Sequence, residues 1–124
     1  MNALLVLAAL LTAAVGAAHS WLGERYLLQR LFRRDDLPKI LGSAEFTKRT
    51  LRFAWHVTSI AWLGLGAVLL LIARPQVSRA DVGLAVGLCF LAQFAVSLVG
   101  SRGRHLSWLA FLVIGGLAIA ATRG

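Results

Sequence analysis

KRTLRFAWHVTS, Lys48 to Ser59, carries the chain from a basic segment into an apolar one, with His56 about one helical turn past the last arginine. The apolar run that begins there extends from about Phe53 to Ala73 and is stopped by Arg74-Pro75, since proline cannot continue a helix. A run of about 20 apolar residues matches the thickness of a bilayer core, so the stretch reads as the entry of a membrane-spanning helix. Upstream, Gly42-Ser43 offers an N-cap and Glu45 sits in the first turn, which starts this helix near Ala44.

Three further apolar blocks lie on either side: residues 3–22, 82–99 and 106–122. The 124 residues are 59% hydrophobic and only 15% charged, and the apolar ones come in blocks rather than at core spacing. Four such blocks with short connections predict an all-α membrane protein, an antiparallel bundle of four transmembrane helices forming one domain over residues 1–124. The small residues Val15-Gly16-Ala17-Ala18 resemble a signal-peptidase site, but no Lys or Arg precedes the first block, so a retained helix is expected.

The formal charge of +8 is a membrane signal here, not a nucleic-acid one. Ten of the thirteen Lys/Arg lie in the connections after the first and third blocks, leaving Arg74, Arg79 and Arg123 on the other side. By the positive-inside rule this predicts a multi-pass inner-membrane protein with both termini extracytoplasmic and no nucleic-acid partner. The long connection, residues 23–52, contains Tyr26-Leu27-Leu28-Gln29-Arg30-Leu31-Phe32-Arg33-Arg34, which suits a short amphipathic helix at headgroup level before Asp35-Asp36-Leu37-Pro38 breaks it. Arg33, Arg34, Lys48, Arg49 and Arg52 are placed to meet anionic headgroups of the lipid bilayer.

Helical spacing assigns one face of each helix to protein contact. Thr12, Gly16, His19 and Gly23 share a face of the first helix, with Ser20 beside it and Glu24 on the Ser20 side, within reach of Arg49 or Arg52. Arg49, Arg52, His56, Ser59 and Leu63 form a stripe on the second, which Gly66 continues. The third groups Val86, Cys89, Gln93, Ser97 and Gly100 and carries Gly83 and Gly87, a close-packing GxxxG; the fourth groups His105, Trp108, Leu112, Gly115 and Ile119. Cys89, the lone cysteine, reads as a small buried hydrophobe. Trp21, Trp55 and Trp108 form an aromatic belt, with Trp62 deeper.

His19, His56 and His105 all fall toward the cytoplasmic ends of their helices, so they are candidates for one layer. Neutral imidazole ligates iron, copper and zinc well, which makes the three candidate cofactor ligands for a b-type haem, with His19 and His56 the candidate metal pair. Against that, no single helix carries an HxxxH or HxxE pair, and interfacial histidines bonded to carbonyls or headgroups give the same pattern. No catalytic residue is assigned: Ser20 beside His19 and Ser59 near His56 have no carboxylate positioned to orient a base. A transporter reading lacks a mid-membrane carboxylate, because all five acids lie in connections or at helix ends. A comparison with fluoride channels fails on the missing phenylalanine-rich motif, the missing pore asparagine and the one-sided charge.

The segments A-H-S-W-L-G-E-R-Y (Ala18–Tyr26), D-L-P-K-I-L-G-S (Asp36–Ser43) and L-R-F-A-W-H-V-T-S (Leu51–Ser59) resemble a group of small bacterial four-helix membrane proteins with no assigned activity. The resemblance covers about the first half of the chain and implies the fold class and a bacterial inner-membrane location. The reading that follows is a non-enzymatic accessory or assembly component that packs against itself as a homo-oligomer or against a larger membrane complex. A haem- or metal-binding redox subunit is the alternative, and a small transporter or channel the third.

Overall fold

The first helix begins where Asn2 can cap it: its side-chain oxygen accepts from Leu4 N–H at 3.0 Å and Leu5 N–H at 3.3 Å. The computed structural model describes residues 1–123, whose regular elements are all helices, with no strand among them. Helix α1 spans Ala3–Leu31, including one π turn at Gly23–Leu28 in which the Gln29 N–H bonds back to Glu24 O. Helices α2 (Ala44–Ile72), α3 (Arg79–Ser101) and α4 (Ser107–Arg123) follow.

Ser43 caps α2 through Phe46 N–H, at 3.3 Å. Ser78 and Asp81 form a reciprocal capping box at the start of α3, at 3.0 and 3.2 Å. The end of α3 is closed by Arg102 in the left-handed region, φ 53°, and by Gly103 N–H on Leu98 O at 2.8 Å. Between α1 and α2 the chain is irregular but held down, because buried Thr47 donates to Pro38 O and accepts from Ile40 N–H at 3.1 Å. On its surface the Arg34 guanidinium beside Asp36 keeps that carboxyl below the usual range.

The basic amphipathic stretch is therefore not a separate helix. Gly23 has helical φ and ψ (−62°, −47°), so nothing stops α1 at Leu22, and Tyr26 to Leu31 form its last turns. Ala3–Leu31, Ala44–Ile72 and Arg79–Ser101 are long and apolar enough to cross a membrane, whereas α4 is equally apolar but has 17 residues.

The helices pack in chain order, α1 on α2, α2 on α3 and α3 on α4, with no close backbone approach among the described residues between α1 and α3, α1 and α4, or α2 and α4. The antiparallel bundle expected from four apolar blocks is not shown by this packing. In lipid an apolar face needs no protein cover, so hydrophobicity alone does not close the ring. Small residues set the three seams. Gly16 faces Ser59 O and Leu63, and Gly66 faces Ala9 O and Thr12, joining α1 to α2. Gly64 lies on Cys89 and Gly100 on Phe53, joining α2 to α3. Gly83 lies on Thr122 and Gly87 on Ile119 and Gly115, so the GxxxG face is taken by α4 of the same chain.

Candidate functional site

The polar side chains of α1 and α2 meet in one hydrogen-bonded line at the basic end of the molecule. His19 Nδ1 is 3.0 Å from Ser59 Oγ. Ser20 Oγ is 2.7 Å from Ser59 Oγ and 2.9 Å from His56 Nδ1. His56 Nε2 is 3.2 Å from Glu24 Oε2, and Arg52 Nη2 is 3.0 Å from Glu24 Oε1. Read from the surface inward, the order is Arg52, Glu24, His56, Ser20, Ser59, His19.

Helix geometry explains the convergence. His19 and Gly16 lie three residues apart on the face that meets α2, and Ser20 and Glu24 lie four apart beside it. On α2, Arg52, His56 and Ser59 recur at four and three, so Arg52 reaches Glu24, His56 reaches Glu24 and Ser20, and Ser59 reaches Ser20 and His19. Ser59 is 4% exposed, which puts its hydroxyl at the centre of the seam, while His56 and Glu24 side chains keep 29% and 30% of their surface. Glu24 is thus at the wet end and Ser59 at the dry one.

Two tryptophans fix the inner terminus. Trp55 donates its indole N–H to His19 O at 2.9 Å, and its ring stacks on the His19 imidazole at 4.3 Å and 3°. Trp62 meets the same imidazole edge-on, at 4.9 Å and 61°. Gly23 makes the close approach possible, because a Cβ there would fall inside the Trp55 indole. The π turn starts at this glycine, and π turns recur where a helix is re-aimed at a functional site.

His105 is held elsewhere. Its Nδ1 accepts from Ser107 N–H at 3.3 Å and lies 2.9 Å from Ser107 Oγ, so the ring caps α4. Phe53 packs edge-on against it at 5.1 Å and Phe46 stacks at 6.2 Å. It shares no hydrogen bond with His19 or His56. The structure therefore brings together two of the three sequence-selected histidines and makes the third a helix cap. Among the described residues no group of three His, Cys, Asp or Glu is placed to hold a metal ion. Both His56 nitrogens and His19 Nδ1 already have protein partners.

The basic residues divide in the same way. Arg33 and Arg34 are exposed, and Lys48 is half-buried near the start of α2. Arg49 pairs with Glu45 at 3.2 Å, and Arg52 lies over Phe32 at 5.0 Å as well as on Glu24. Arg49, Arg52 and Arg102 line the mouth of a cleft of about 660 Å³ between α2 and α3, above Phe53 and Val99.

Sequence reasoning selected His19, His56 and a Glu24 pairing with Arg49 or Arg52, of which the structure shows Arg52, but passed over Ser20 and Ser59 as functional residues. Their signal was present: Ser59 lies three positions from His56 on the same helix face, and Ser20 lies beside His19 and four positions before Glu24. No protein-family model matches this chain, and no curated protein or solved structure matches it either.

Proposed function

We propose that the chain is a small multi-pass inner-membrane protein of non-enzymatic function that works as a self-associated component. All four helices cross the bilayer in this reading, α4 included, with both termini extracytoplasmic and the basic end in the cytoplasm against anionic headgroups. Arg33, Arg34, Lys48, Arg49 and Arg52 meet those headgroups.

The observation that carries self-association is the outer face of α1. Leu7, Leu10, Ala14, Ala17 and Trp21 recur at spacings of three and four, all are exposed, and α1 touches no helix but α2. That is the spacing of a left-handed helix pair, and small residues in its middle let two backbones approach in lipid. Gly83 and Gly87 do not supply the contact, because α4 covers them. The second copy docks along α1 instead, as a two-fold pair.

Cysteine cross-linking in native membranes tests this. In a Cys89→Ala background, Ala17→Cys is expected to give a disulfide-linked dimer and Leu117→Cys, 64% exposed on α4, none. Equal cross-linking from both positions, or single-step photobleaching of the labelled protein in bilayers, overturns the reading.

A further inference from the structure

We infer that the line between Glu24 and His19 is a proton-exchange path, along which one proton moves between the His56 and His19 imidazoles through the Ser20 and Ser59 hydroxyls. It goes beyond the self-association proposal and holds whether or not two copies pair.

The hydrogen-bond bookkeeping allows two complete arrangements. In the first, His56 carries both ring protons: Nε2–H donates to the Glu24 carboxylate, Nδ1–H donates to Ser20, Ser20 donates to Ser59, and Ser59 donates to His19 Nδ1. His19 is then neutral, with its proton on Nε2. In the second, the three links between His56 Nδ1 and His19 Nδ1 are reversed. His19 Nδ1–H donates to Ser59, Ser59 to Ser20, and Ser20 to His56 Nδ1, while His56 keeps Nε2–H on Glu24. Going from the first to the second, three O–H or N–H bonds break and three form, one positive charge passes from His56 to His19, and no external reactant is consumed. Each hydroxyl gives one proton and takes one.

Both ends accommodate the charge. At the outer end the Glu24 carboxylate lies 3.2 Å from His56 Nε2 and is part-exposed, so the line opens to water there. At the inner end the His19 ring lies parallel to the Trp55 indole at 4.3 Å, where the aromatic face attracts an imidazolium. The groups facing the path are Glu24 and Arg52, and Arg52 is tied to the same carboxylate at 3.0 Å. A purely structural clasp would need a hydroxyl at each crossing point, but it would not need titratable rings at both ends. Ionisable groups inside a bilayer are costly and rare, and chains of Glu and His there recur in proton relays.

The test uses the full chain in nanodiscs with ¹⁵N-labelled histidine, read by solid-state NMR across pH. In the wild type His19 is expected to change its charge state with pH. In Ser59→Ala, His56 still responds and His19 stays in one state; Ser59→Thr, which keeps a hydroxyl, restores the His19 response. A His19 that responds in Ser59→Ala as in the wild type, or that fails to respond in the wild type, overturns the path. Circular dichroism of each variant separates loss of the path from loss of the fold, and Ser20→Ala in a folded chain is the second interruption, with the same expected freeze of His19.

Discussion

Ser59→Ala puts the α1–α2 seam to a quantitative test. The Ser59 hydroxyl makes two side-chain bonds, to His19 at 3.0 Å and to Ser20 at 2.7 Å, at a site 4% exposed. Side-chain bonds between membrane helices contribute about 0.6 kcal/mol on average and about 1.7 at most. Losing both, with His19 Nδ1 left unpaired, gives roughly 1–3 kcal/mol, about a five- to 150-fold change in the folding constant. The void left by one oxygen adds little. Unfolding in mixed micelles, followed by tryptophan emission because Trp55 and Trp62 flank His19, measures the loss. Thr58→Ala is the control, since that hydroxyl bonds only Ala54 O of its own helix, at 3.3 Å. Ser20→Ala closes a double-mutant cycle with an expected coupling of about 0.5–1.5 kcal/mol. If Ser59→Ala and Thr58→Ala differ by less than about 0.3 kcal/mol, the seam is not held by this network and the reasoning fails.

Two further predictions address packing and capping, with the same unfolding measurement. Gly87→Ala sets a methyl against Ile119 and Gly115 O and is expected to cost about 1–3 kcal/mol, while Gly116→Ala, which meets nothing within 4 Å, is neutral or stabilising by up to about 1 kcal/mol. His105→Ala removes the acceptor for Ser107 N–H and loosens the start of α4 by about 1 kcal/mol, and His105→Asn, which can cap in its place, recovers most of it.

Local spacing made the seams readable before the chains of contacts were seen. Thr12, Gly16, His19 and Gly23 were grouped by a period of 3.6, and this is the face of α1 that meets Gly66, Leu63, Ser59 and Trp55. Ser43 was readable as a cap because its position before Glu45 and the apolar run is a local property. The course of α1 beyond Leu22 was not. Gly23 and the charged residues after it look like an ending, and only the Trp55 indole lying over that glycine shows why the helix continues as a π turn. The separation of His105 from His19 and His56 was also hidden, since equal depth in a membrane says nothing about which side of α2 a residue occupies. Lipid removes the signal that would have told a ring of helices from a row: Leu7 and Leu10 are equally at home against acyl chains or another helix.

The chain-ordered packing of the four helices has a consequence for biosynthesis. Close helix-on-helix packing joins segments adjacent in sequence, and His105 at the head of α4 reaches back only to Phe46 and Phe53 of the earlier α2, so no helix must wait for a later partner before it can be buried. The hairpin of α1 and α2, with its line of histidines and serines, can be complete while α3 is still being synthesised, and α3 and α4 then add one seam at a time. Stability in such a molecule is close to a sum of three neighbour terms, in the manner of a repeat array. Damage to the α3–α4 seam should therefore leave the first hairpin standing.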